Sequence, residues 1–124
     1  MSREASSEMK TYTLAVAAER SGLSPHQVRI YLDMGLVSPC ATTDGGFRLF
    51  DADCIRRLKL IKVCRDAEIG LADIGNFIRS LDGDDHNRCR EAEQLLAQRL
   101  LEKRRALERC SRALSAEVEA TSSY

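Results

Sequence analysis

The sequence predicts a mainly α-helical protein, with a head of short helices joined to one long C-terminal helix that needs a partner. Three observations carry this. Charged residues make up 31% of the 124 residues and aromatics 5%, with no Trp, a composition that suits helices better than a β-sandwich or barrel. Two capped helix signals lie close together near the N-terminus. Residues 86–119 contain neither Pro nor Gly, and Leu96, Leu100, Lys103, Leu107, Cys110 and Leu114 step by four and three. That is a coiled-coil seam with one polar interruption.

The elements follow in order. Residues 1–10 read as a disordered leader. Thr13 caps a helix to Ser21 whose apolar face is Leu14, Ala17 and Ala18, and Gly22 ends it. Ser24-Pro25 starts the next helix, with Ser as N-cap and Pro in the first turn; it runs through Val28 and Leu32 to Met34-Gly35. Two short helices across a tight Gly turn make a helix-turn-helix. Asp44-Gly45 is a hairpin signal between short extended runs, so Val37 to Phe50 reads as a small two-stranded wing. Asp51 caps a third helix to about Ala67, with Ile55, Leu58, Ile61 and Cys64 or Arg65 along one side and Gly70 as its breaker. A fourth helix from Leu71 to about Leu81 carries Leu71, Ile74, Phe77 and Ile78, and a loop leads to the long helix. The predicted domains are a head over 11–82, a coiled-coil helix over 86–119 and a flexible tail over 120–124. A helix of that span is roughly 50 Å long. So small a head cannot cover its seam, and an identical chain is the simplest partner.

Several classes are excluded. No apolar run approaches the ~20 residues of a membrane span, and the N-terminus has no apolar signal region. A cytoplasmic location is the expectation. Cys40, Cys54, Cys64, Cys89 and Cys110 are odd in number and irregular in spacing, which argues for reduced thiols over a disulfide framework. His26 and His86 are isolated, and there is no nucleophile–base pair and no phosphate-cradling Gly loop, so no enzyme is expected. Net charge is zero. Residues 1–65 carry 10 Lys/Arg against 7 Asp/Glu and the remainder 9 against 12, so the first half is mildly basic, as phosphate contacts would need.

Four motifs, in order, resemble those of the MerR family of bacterial transcription regulators: Val28-Arg-Ile-Tyr-Leu-Asp-Met-Gly-Leu36, Gly46-Phe-Arg-Leu-Phe-Asp51, Leu58-Lys-Leu-Ile61 and Ile69-Gly-Leu-Ala-Asp-Ile74. The likeness covers Tyr12 to Leu81, and the long helix agrees in type. Tyr31-Leu32, Gly45-Gly46, Leu49-Phe50-Asp51 and Ile69-Gly70-Leu71 are closer to the MerD branch. The resemblance implies a winged helix-turn-helix homodimer joined by an antiparallel coiled coil, acting on a pseudo-palindromic promoter operator. The MerD likeness implies a modulator of mercury-resistance operons. RNA polymerase and another MerR-type regulator are the further partners implied.

The resemblance also assigns residues. The helix of Ser24–Met34 would enter the major groove, with His26, Gln27 and Arg29 towards base edges, Gln pairing with adenine and Arg with guanine. Ser24 and Tyr31 would hold phosphate, Arg48 would reach the minor groove or its phosphates, and Lys62 and Arg65 would add phosphate contacts. The alternatives are an internal ion pair of Arg29 with Glu19 or Asp33, a wing-to-helix ion pair of Arg48, and solvated faces for His26, Lys62 and Arg65. This chain has Ile30 where the family has a second Tyr beside the Arg. Either a contact is missing or Ile30 belongs to the core.

Metal sensing receives less support. Cys89 matches the family's first metal-binding Cys, but Ala120-Thr-Ser-Ser-Tyr124 carries no ligand. Cys89 and Cys110 of one helix are about 31 Å apart, so a thiophilic ion held by His86, Cys89 and Cys110 would need two chains. No cofactor is otherwise expected. Two further readings compete: a heterodimerising partner of another MerR-type regulator, and redox sensing through Cys40 beside the wing.

Overall fold

In a computed structural model describing residues 10–122, five helices and one small hairpin follow in the predicted order. Helix α1 spans Leu14–Ser21 and α2 Pro25–Asp33. The Thr13 hydroxyl accepts from the Val16 N–H, and Gly22, at φ +77°, closes α1. Strand β1 is Ala41–Thr42 and β2 Arg48–Leu49, antiparallel, with Ala41 opposite Leu49 and Thr42 opposite Arg48. An antiparallel bridge between Tyr12 and Phe50 ties the segment before α1 to this hairpin, through two 2.8 Å backbone hydrogen bonds.

The hairpin turn is one residue longer than the Asp44-Gly45 signal suggests. Gly46 N–H donates to the Thr43 carbonyl, Thr43 N–H to the Phe47 carbonyl, and Gly46 is the residue at positive φ, +87°. This is the three-residue hairpin in which a turn is followed by one left-handed residue.

Helix α3 spans Ala52–Asp66, α4 Leu71–Asp82 and α5 His86–Ser122. Gly70 is not the breaker of α3. Glu68 takes the left-handed conformation, φ +61°, with Ile69 N–H on the Cys64 carbonyl and Glu68 N–H on the Arg65 carbonyl. That pair of bonds is a Schellman closure; burial of Ile69 anchors it, and Gly70 is left to cap α4. The expected tail also shortens. Residues 120–122 continue α5, and the Thr121 and Ser122 hydroxyls donate to the Glu117 and Val118 carbonyls. The leader, apart from Lys10, lies outside the described residues, as do the last two residues.

One core holds the head together: Ala17 and Ala18 of α1, Val28 and Tyr31 of α2, Phe50, then Ile55, Leu58 and Ile61 of α3 and Ile74 and Ile78 of α4. Cys54 belongs to it, and burial, with Asp51 adding, pushes its thiol up to about 11. Burial also raises the Cys64 thiol. Both therefore behave as small protonated hydrophobes. The start of α5 packs along α4 through buried Ala92 and half-buried Leu96.

Two ion pairs brace this arrangement, Arg57 with Asp82 (α3 to α4, 2.7 Å) and Arg99 with Asp73 (α5 to α4, 3.1 Å). Arg57 grips Asp82 with both terminal nitrogens, which holds the carboxyl below its ordinary range. A depressed carboxyl contributes stability above its unfolded pKa and loses it as pH falls through the folded value. Asp82→Asn is therefore expected to cost no more than about 1 kcal/mol at pH 7, because the pair is exposed. The gap to the parent should close as pH drops below about 4, which urea unfolding at pH 7 and pH 3 measures.

Candidate nucleic-acid interface

The α1–α2 unit aims one helix outward. In α2 the buried residues are Val28 and Tyr31, with Leu32 partly buried. The opposite side carries exposed His26, Arg29, Ile30 and Asp33. Among the described residues Arg29 makes no ion pair with Glu19, Asp33 or any other carboxylate. Arg48 on β2 is likewise exposed and makes none. Between them runs an open cleft of about 610 Å³, lined by α1, α2 and the wing. Arg29 and Asp33 line one side, and Phe47 and Arg48 the other. Phe47, at the wing tip, is 74% exposed. Two unpaired guanidiniums on one concave surface suit a phosphate-bearing ligand.

The start of α2 is a complete capping box. The Ser24 hydroxyl accepts from Gln27 N–H at 3.1 Å, and Gln27 Oε1 accepts from Ser24 N–H at 2.9 Å. Reciprocal capping of this kind fixes both side chains. Gln27 therefore offers its amide N–H groups outward while its oxygen is held back on the cap. Ser24 keeps its hydroxyl proton free to donate.

The other assigned residues divide. Tyr31 is in the core at 7% exposure, so its ring is packing and not part of the open face. Lys62 pairs with Asp66 at 2.8 Å within α3. Arg65 donates to the Ile69 carbonyl at 2.9 Å, so it braces the turn after α3. Neither stands beside Arg29 and Arg48 along the cleft. Ile30 is not core; it is 38% exposed on the outer face of α2.

The predicted seam divides as well. Leu96 packs on the head's own core, and Lys103 is half-buried in a groove with Asp66, Ala67 and Glu68. Leu100, Leu107, Cys110 and Leu114 are exposed, and Val118 with them. The candidate metal ligands do not converge within the chain. His86 Nε2 accepts from Arg90, Cys89 Sγ donates to the Ser80 carbonyl at 2.8 Å, and Cys110 is exposed far along α5. Among the described residues no three His, Cys, Asp or Glu form a metal-sized cluster. Cys40 is exposed, and its Sγ donates to the Leu49 carbonyl at 3.5 Å. No helix among the described residues is long and apolar enough to cross a membrane.

Comparison with known proteins decides the family. The family described as MerR HTH family regulatory protein matches residues 12–81, and a second, described as MerR, DNA binding, matches residues 55–116. The chain belongs to the MerR family. Among MerR-family relatives, the HTH-type transcriptional regulator MerD of Shigella flexneri is 37% identical over 98 residues, covering 79% of this chain and 81% of that one. MerD of Acinetobacter calcoaceticus is 37% identical over 97 residues, covering 78% and 79%. A solved MerR-family regulator, HiNmlR, lacks the sensor domain and is bound to promoter DNA; it is 25% identical with a TM-score of 0.70, covering 86% of this chain and 80% of that one. A MerR-family structure from Listeria monocytogenes shares the fold with a TM-score of 0.79 at 19% identity, covering 87% and 83%. This MerR-family chain is a DNA-binding transcription regulator with a helix-turn-helix head and a long C-terminal helix.

Proposed function

We propose that two copies of this chain pair through α5 as an antiparallel coiled coil and place their α2 helices in the major groove of a pseudo-palindromic promoter operator. The observation that carries the reading is the single cleft with unpaired Arg29 on α2 and unpaired Arg48 on the wing. A helix and a wing tip flanking one concavity suit a duplex, with the helix in a groove and the wing along the adjoining backbone. Likeness to MerD relatives supports a modulator at a mercury-resistance promoter, working where RNA polymerase or another MerR-type regulator also engages, and no catalysis. Exposure of Leu107, Leu114 and Val118 among the described residues of this helix supports the homodimer.

The two arginines have separable roles. Arg29→Ala is expected to weaken operator binding about 10- to 100-fold and to relax base preference at one position in each half-site. Arg48→Ala should weaken operator and random duplex alike and make the salt dependence shallower. Titrations on both duplexes at several salt concentrations separate them. Light scattering of the free protein and footprinting with and without Hg(II) test the whole reading. A homodimer that protects a promoter operator supports it. A monomer, or protection only in the presence of a second regulator, overturns it.

A further inference from the structure

We propose that Ile30 reads a thymine in each operator half-site, by packing its side chain on the C5-methyl group in the major groove. The inference rests on the placement of α2 in that groove.

Three observations carry it. First, Ile30 is aimed outward. Counting 100° per residue from buried Val28, His26 falls at about 160° and Ile30 at about 200°, so the two straddle the line that points directly away from the core. Second, Ile30 is a large aliphatic side chain that the fold leaves at 38% exposure, with Met34 one turn on at 47%. Among the described residues Ile30 belongs neither to the core nor to the hydrophobic residues packed on it. Third, its neighbours on the same face are polar: His26 one turn before, Arg29 beside it and Asp33 beyond.

The chemistry follows from what a base pair shows in the groove. Each pattern of donors and acceptors can be met by polar side chains, but the thymine C5-methyl is an apolar feature and is matched only by apolar contact. Ile30 has no polar atom to offer phosphate or a base edge. Any contact it makes at the centre of the face is therefore with a methyl group or with sugar carbons. The sugars line the walls of the groove and the methyl projects into it, so the outermost position of an inserted helix meets the methyl. Gln27 strengthens the case. Its amide oxygen is held on the Ser24 N–H, which leaves less polar reading capacity at this end of the helix and gives apolar contact a larger share.

The test removes only the methyl. An operator is selected with the wild-type chain from a random-sequence duplex library. Thymines in both half-sites are then replaced by deoxyuridine, one symmetric pair at a time, and affinity is measured by anisotropy. Wild type is expected to lose about fourfold per half-site at one position, the worth of a buried methyl-sized group. Ile30→Ala should bind the unaltered operator with the same loss and show no response to deoxyuridine there. Its helical signal and oligomeric state should match wild type, because the side chain supports nothing in the core. Indifference of wild type to deoxyuridine at every position overturns the inference, as does an Ile30→Ala variant that keeps the methyl response. Failure to select any operator overturns the placement of α2 itself, and so is distinguishable from the failure of Ile30 alone.

Discussion

Leu107→Asp is expected to yield a monomer whose head stays folded and whose operator affinity falls by about two to four orders of magnitude. Leu107 is 72% exposed in the single chain and is not a member of the head's core, although it lines the groove beside Ala67, so the head should keep its fold. A two-fold dimer repeats the change in both copies. Two carboxylates would then replace two leucines in the proposed seam, and desolvating a charge there costs far more than a lost leucine contact. The loss in affinity comes from losing the link between half-sites: a tethered second head binds at a high effective concentration, and separation forfeits that factor. Light scattering and anisotropy measure the two effects on one sample. A Leu107→Asp protein that remains dimeric would move the seam to another face of α5.

Phe50→Ala is expected to destabilise the protein by about 3–5 kcal/mol, the range for deleting a fully buried aromatic. Its side chain has no exposed surface. Its backbone is bridged to Tyr12, and Asp51, the α3 N-cap, follows it directly. A cavity here loosens the root of the wing, the segment before α1 and the start of α3 together. Domains of this size are stable by only about 5–15 kcal/mol, so the variant should melt many degrees lower, by calorimetry. Phe47→Ala, three residues earlier on the exposed wing tip, should leave the melting point nearly unchanged. If the two variants melted alike, the packing role of Phe50 would be lost.

Much of the head was legible because its signals are local. Thr13, Ser24 and Asp51 announce helix starts through hydroxyls and carboxylates that satisfy free N–H groups, and all three do so. Other details depended on competition between neighbours. Gly70 looked like the break after α3, yet burial of Ile69 forced the left-handed residue to be Glu68. Asp44-Gly45 looked like the turn, yet the strand register needed Gly46 at positive φ. The candidate site was legible in type but not in commitments. Residue identity offered Gln27, Lys62 and Arg65 as free polar groups, whereas the geometry engages Gln27 through its amide oxygen, Lys62 with Asp66 and Arg65 with the Ile69 carbonyl. Tyr31, expected to hold phosphate, packs in the core, and Ile30, left open between a missing contact and the core, lies on the outer face, because one position along a helix turns a side chain by about 100°. The seam posed the same difficulty. A heptad pattern reports that a face is covered but not by what, and Leu96 and Lys103 are taken by the chain's own head.

That division of α5 constrains how such a protein can change length. Its first turns are keyed to the head by Ala92, Leu96, Arg99 and Lys103, and its later turns present Leu107 and Leu114. One residue inserted between Lys103 and Leu107 would swing one set against the other by about 100°, which in the proposed dimer would turn the second head off its half of the operator. Seven residues inserted there would restore the facing but carry the head about 10 Å further along the helix axis. Insertions and deletions in this short stretch are therefore expected to be tolerated only in lengths that restore the facing, such as about seven or eleven residues. In the proposed dimer each permitted step would ask for a promoter with differently spaced half-sites, so the helix and its operator would lengthen only together.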